Sequence, residues 1–134
     1  MIRSAASRGE LLAASIACFV TATASRVPLL AAAEVGPGTL LLAVGSDSPG
    51  KQELDPAILR RAGLLLVDSM AQCERLGELQ HAPDQKSRAV ELGAFCASPS
   101  RTASGDVIVC DFTGLGVEDL AIAELAHRNL TAPR

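Results

Sequence analysis

The hydrophobic residues of this chain fall into short unbroken runs rather than alternating with polar ones. Apolar and β-branched stretches cover residues 16–21, 38–44, 63–67 and 106–110, the second stopping at Gly45 and the third at Asp68. Such runs predict strands covered on both faces, as in a parallel sheet with helices on either side. Between them the pattern turns helical. Asp55-Pro56 marks a helix start, with Asp55 able to accept orphan N–H groups and Pro56 pre-set for the first turn; Gly63, after Arg60 and Arg61, suits the stop. Ser69 is a candidate N-cap for a helix over 69–76. Residues 81–88 read as a polar loop, 89–97 as a helix and 98–105 as a turn-rich loop. In 117–130, Val117, Leu120, Ile122, Ala123 and Leu125 recur at helical spacing. Alternating strands and helices predict an α/β fold, and Gly36-Pro37-Gly38 predicts a tight turn.

Composition narrows what such a fold does. The 134 residues suit one compact domain, and 49% hydrophobic against 20% charged is too apolar for disorder. No stretch approaches the ~18 consecutive apolar residues of a membrane span. A net charge of −3, three Phe and no Trp or Tyr leave neither a basic footprint nor stacking platforms for nucleic acid. Cys18, Cys73, Cys96 and Cys110 are too scattered for a zinc site, so buried reduced thiols and no metal are expected. The arginines and serines before the apolar run 11–20, followed by Ala22-Thr23-Ala24, have the outline of a targeting peptide. Glu10 beside that run argues against one, and a cytoplasmic location is expected. The chain has no G-x-G-x-x-G turn between a strand and a helix, the usual pyrophosphate seat.

Polar and turn residues are densest over 45–54, directly after the run that ends at Val44. In open α/β sheets ligands bind at the carboxyl ends of strands, so a site is expected here. Asp47 and Lys51 are the pair of interest: a carboxylate tuned by a neighbouring ammonium can take a proton from a substrate amine. The competing reading is a solvated turn closed by a weak surface ion pair. His81 and His127 have no carboxylate or nucleophile at suggestive spacing and read as ordinary surface or helix-end histidines. Glu118 and Asp119 suit the dipole of the last helix, Ser100-Arg101 suits a solvated turn, and Asp68 ends a strand at the same edge as Asp47.

Several motifs, in order, carry a family resemblance. The run Ala43-Val44-Gly45-Ser46-Asp47-Ser48-Pro49-Gly50-Lys51-Gln52-Glu53-Leu54-Asp55 resembles the segment of the ornithine cyclodeaminase, mu-crystallin and archaeal alanine dehydrogenase family that supplies its catalytic aspartate. Val20-Thr21-Ala22-Thr23-Ala24-Ser25, Val67-Asp68-Ser69 with Gly77-Glu78-Leu79, Glu91-Leu92-Gly93 and the stretch from Asp111 to Ala121 resemble its later motifs, over about residues 10–130. The resemblance implies a partial doubly wound, Rossmann-like NAD(P)-binding domain over 10–97. Residues 98–134 would return to a substrate and dimerisation domain.

By resemblance, the catalytic aspartate is Asp47. Cofactor contacts fall to Val44, Gly45, Ser46, Lys51 and one of Thr21 and Thr23, and the substrate meets Asp47 and Thr113. Phe112 stands where the family usually has a serine touching the cofactor, which puts an aromatic ring into a polar slot. The implied chemistry is hydride transfer from an amino-acid α-carbon to NAD or NADP, giving an imine. Ornithine would then yield proline and ammonia, or alanine would yield pyruvate. The partners would be an amino-acid or imine substrate and a second chain, as homodimer or complement. The family's glycine turn and upstream carboxylate-gripping residues have no counterpart here, so no turnover is expected of the chain alone. The alternative is a non-catalytic remnant that binds a ligand or dimerises.

Overall fold

The computed structural model describes residues 18–100 and 102–131. Its centre is a five-stranded sheet built from β1 (Cys18–Thr21), β3 (Leu40–Ala43), β5 (Leu64–Val67), β6 (Ala89–Glu91) and β7 (Ile108–Asp111). The spatial order is β1-β3-β7-β5-β6, with every neighbouring pair parallel. A separate parallel pair joins β2 (Arg26–Leu30) to β4 (Gln52–Leu54). The helices are α1 (Pro56–Arg61), α2 (Met70–Cys73), α3 (Leu92–Ala97) and α4 (Gly116–Thr131); tighter helical turns lie at Ala32–Glu34, Glu78–His81 and Pro83–Arg88.

Register aligns Leu41, Val109 and Leu65 across the sheet, and two residues on aligns Ala43, Asp111 and Val67. These point to the covered face, where Ile58 and Leu59 of α1, Cys73, Leu79, Leu54 and Val35 close the main core. The opposite face carries Leu64, Leu66 and Cys110, with Leu40, Leu42, Ile108, Leu92, Phe95 and Phe112 half-buried against them. The unbroken apolar runs predicted full cover on both sides; the described residues supply it on one. α4 buries none of its residues, and Val117, Leu120, Ile122 and Leu125 are exposed. No helix among the described residues is long and apolar enough to cross a membrane.

The α/β class holds, as do the strands expected within 38–44, 63–67 and 106–110 and the one ending at Thr21; residues 16 and 17 lie outside the described part, as does Arg101. Asp55 does cap α1, its carboxylate accepting from Ala57 N at 2.9 Å. Gly38, at φ +73°, makes the expected turn after Pro37, in a backbone region that favours glycine. Three expectations change. The helix expected over 89–97 begins as strand β6, because Ala89, Val90 and Glu91 pair with Leu65, Leu66 and Val67. Ser69 precedes α2 without a side-chain cap bond. Of the four free thiols only Cys73 and Cys110 are buried, while Cys18 and Cys96 are exposed.

Candidate functional site

Parallel pairing brings the carboxyl ends of all five strands to one edge, and the loops that leave β1, β3 and β7 there carry the polar groups. After β3 the chain makes a turn in which Lys51 N donates to Ser48 O at 3.1 Å, with Gly50 at φ +75°. That turn presents Asp47 to solvent. Lys51 Nζ donates to Asp47 Oδ1 at 2.6 Å and Ser48 Oγ to the same oxygen at 2.9 Å, while Lys51 Nζ also reaches Gly45 O at 3.3 Å. The Lys51 hydrogen bond, then that of Ser48, hold the Asp47 carboxyl below its ordinary value, so it is ionised at neutral pH.

The turn is fixed from behind. Ser46 is buried, its hydroxyl 3.0 Å from Lys51 O and 3.2 Å from Leu76 O. Gln80 Nε2 donates to Lys51 O at 3.3 Å and Gln80 Oε1 accepts from Gly50 N at 2.8 Å. His81 Nε2 lies 2.7 Å from the Lys51 carbonyl; since a carbonyl only accepts, this nitrogen carries the proton. His81, expected to be an ordinary surface residue, is half-buried and helps to hold the turn.

On the β1 side, Val44 N donates to Thr21 O at 2.9 Å, and the Val44 side chain is exposed. The two threonines differ. Thr23 is exposed, its Oγ1 accepting from Ser25 N at 3.2 Å. Thr21 Oγ1 is out of reach of water and has no hydrogen-bond partner among the described residues. Gly45 is wedged between loops: a Cβ there would meet Glu53 Oε1 and the Thr23 backbone closer than real Cβ atoms come.

Thr113 follows β7, the strand beside β3. Its N–H donates to Asp68 Oδ2 at 2.8 Å, its hydroxyl lies 3.2 Å from both Asp68 oxygens, and it accepts from Gln72 Nε2 at 3.0 Å. Asp68 is buried and also takes Gly114 N and Ser69 N, each at 2.7 Å, and the Cys73 thiol at 3.1 Å. Thr113 is therefore anchored to the end of β5, with no hydrogen bond to the Asp47 turn among the described residues. Phe112, expected to put its ring into a polar slot, instead packs with Leu64, Leu66 and Cys110 on the half-covered face.

Behind this edge lie acids that single-residue reasoning passed over. Glu53, Glu78 and Asp111 are all shut off from solvent, and burial, ahead of the opposing backbone hydrogen bonds, pushes the carboxyls of Glu78 and Asp111 up to about 7. All three belong to the family-like motifs, but nothing in the spacing shows that their carboxylates turn inward.

An open parallel α/β sheet with its polar loops gathered at the carboxyl edge defines a protein of the α/β class whose ligand site lies at that edge. The comparisons sharpen that class. Residues 2–133 match the ornithine cyclodeaminase/mu-crystallin family, and the chain belongs to that family. It is 41% identical over 116 residues to an uncharacterized cyclodeaminase of Sinorhizobium fredii, covering 81% of this chain and 35% of that one. Among solved structures it resembles the iminosuccinate reductase of Paracoccus denitrificans in complex with NAD+, at 40% identity and a TM-score of 0.71, covering 80% and 34% of the two chains. It also resembles an archaeal alanine dehydrogenase dimer with bound NAD, at 32% identity and a TM-score of 0.72, covering 84% and 37%. The chain thus spans about a third of the length of the relatives it matches.

Proposed function

We propose that this chain forms the nicotinamide and proton-transfer side of an NAD(P)-dependent amino-acid or imine oxidoreductase or lyase. The observation that carries the reading is the Asp47–Lys51 pair, held at 2.6 Å on the loop that leaves β3 at the sheet's carboxyl edge. A solvated surface pair needs no support, whereas this turn is pinned by Ser46, Gln80 and His81.

The residues fit the nicotinamide end of the cofactor. Thr21 Oγ1, without a partner among the described residues, lies at the strand end, Val44 offers an apolar surface beside it, and Gly45 lets the β1 and β3 loops close on one another there. Thr21, rather than Thr23, is the threonine assigned to the cofactor, and Lys51 and the Ser46 backbone complete this side. A nicotinamide held here would supply the acceptor for a hydride from the substrate α-carbon, or its donor in the reverse direction. Asp47 accepts a proton from the α-ammonium, so that the nitrogen lone pair can form the C=N bond as the hydride leaves. Lys51 keeps Asp47 ionised until then, and substrate that displaces water from the pair raises its basicity. Thr113, set by Asp68, lines the substrate side. Grip on the substrate carboxylate and the pyrophosphate is assigned to residues outside this stretch of sequence, which the N-terminal half of a relative supplies in the test below.

The test has two stages. NADH and NADPH are titrated against the chain by nicotinamide fluorescence. An N-terminal half made from a full-length relative is then added, and ornithine, alanine and cyclic ketimines are assayed. Asp47→Asn is expected to lower turnover of the mixture at least about 100-fold, the usual share of a positioned proton acceptor. Unchanged turnover would remove Asp47 from the chemistry.

A further inference from the structure

The three buried acids form a series. Asp111, the last residue of β7, accepts from Glu78 N at 2.8 Å and Leu79 N at 2.9 Å. Glu78 accepts in turn from Glu53 N at 2.7 Å and Leu54 N at 3.1 Å. Glu53 accepts from Thr23 N at 2.6 Å and Gly45 N at 3.0 Å. Each carboxylate thus grips the main chain of the segment that bears the next, from the centre of the sheet out to its ligand edge. Among the described residues none of the three pairs with a lysine or arginine.

Burying carboxylates without countercharges is costly, and apolar side chains would fill the same space at lower cost. What an apolar side chain cannot do is hold two N–H groups at a set distance. At Glu53 those two groups belong to different loops, one leaving β1 and one leaving β3, 22 residues apart in sequence. The gap between them is fixed from both sides: the carboxylate draws Thr23 and Gly45 together, and the missing side chain at Gly45 lets them approach. Thr21 and Val44, joined by their own backbone bond, lie two and one residues before the clamped Thr23 and Gly45.

We infer that Glu53 is a positioning residue that sets the spacing of the β1 and β3 loops, and through them the seat of the nicotinamide. It acts through Thr23 N and Gly45 N. The seat rests on the cofactor reading above; the clamp itself does not.

Glu53→Gln keeps the size but leaves one acceptor oxygen, so one of the two amides faces an NH2 group. Amide hydrogen exchange read by NMR on the full chain separates the outcomes. The inference expects exchange at Thr23 or Gly45 to quicken about tenfold, as one lost charge-assisted hydrogen bond implies, while Leu66 and Val109 keep their protection. NADH affinity should fall by a similar factor. If both amides stay protected in Glu53→Gln while NADH binding is unaltered, the clamp is wrong. Should Glu53→Gln lose protection throughout the sheet, Glu53→Asp decides: its charge is retained but its reach is shorter by one methylene. Selective loss at Thr23 or Gly45 in that variant supports the clamp, and loss across the sheet again makes Glu53 part of the general fold and overturns it. If NADH moves neither the fluorescence nor the Thr23 and Gly45 signals of the parent chain, the cofactor reading and the seat fall together, while the exchange comparison still judges the clamp.

Discussion

Gly45 has little freedom to change. Its missing side chain is filled by Glu53 Oε1 and by the backbone of Thr23, so a methyl group there has to move a buried carboxylate or a strand-end loop. Gly45→Ala should cost about 1–3 kcal/mol of stability, as overpacking of closed sites does, measured as a lowered urea midpoint at unchanged slope. Gly36, where an added Cβ would meet nothing, is the control and should tolerate alanine with little change. At this scale the sequence was legible where chemistry is local. Asp47 and Lys51, four apart in a turn-rich stretch, were readable as a pair, and they meet at 2.6 Å. Glu53, Glu78 and Asp111 were not, because their bonds span 8 to 33 residues of sequence and no local pattern encodes which amide a carboxylate will find. The choice between Thr21 and Thr23 was open for the same reason: it rests on which hydroxyl is already engaged.

Helix α1 shows what an element carries in its own residues. Asp55 accepts from Ala57 N at 2.9 Å, Pro56 opens the first turn, and Arg60 and Arg61 sit at the end where the dipole favours them. Asp55 also lies 3.4 Å from Ala32 N, which ties α1 to the turn after β2. Asp55→Ala should therefore lower stability by about 1 kcal/mol, seen as a drop in the thermal midpoint, with Asp55→Asn restoring most of it. Elements made by pairing with distant chain were harder to read. β6 follows from its alignment with β5, and its sequence, Ala89-Val90-Glu91 running into Leu92, reads equally well as the first turn of a helix. β2 and β4 escaped notice because their pairing lies outside the main sheet, and Gln52-Glu53-Leu54 is short and two-thirds polar. β3, β5 and β7 were plain, since a buried parallel strand needs an unbroken apolar run and shows it.

The buried acids bear on the molecule as a whole through pH. Burial raises Glu78 from 4.5 and Asp111 from 3.8 to about 7, so the folded chain holds protons that the unfolded chain has released. Their contribution to stability is complete below the unfolded values and is lost as pH rises through about 7. Urea midpoints should accordingly fall between about pH 4 and 7 by more than the exposed carboxylates explain, and Asp111→Asn should flatten that slope. A slope unchanged in Asp111→Asn would show that the acid is not the group titrating. The central place of β7 carries a different kind of consequence. It lies between β3 and β5, yet among the described strands it comes last along the chain, 40 residues after β5 ends. Until Ile108–Asp111 emerges, β1 with β3 and β5 with β6 are two ribbons with no shared edge, and a pair of strands in water is marginal at best. A nascent chain therefore cannot close this sheet until β7 has been made, so the edges of both ribbons stay open to chaperones and proteases until then.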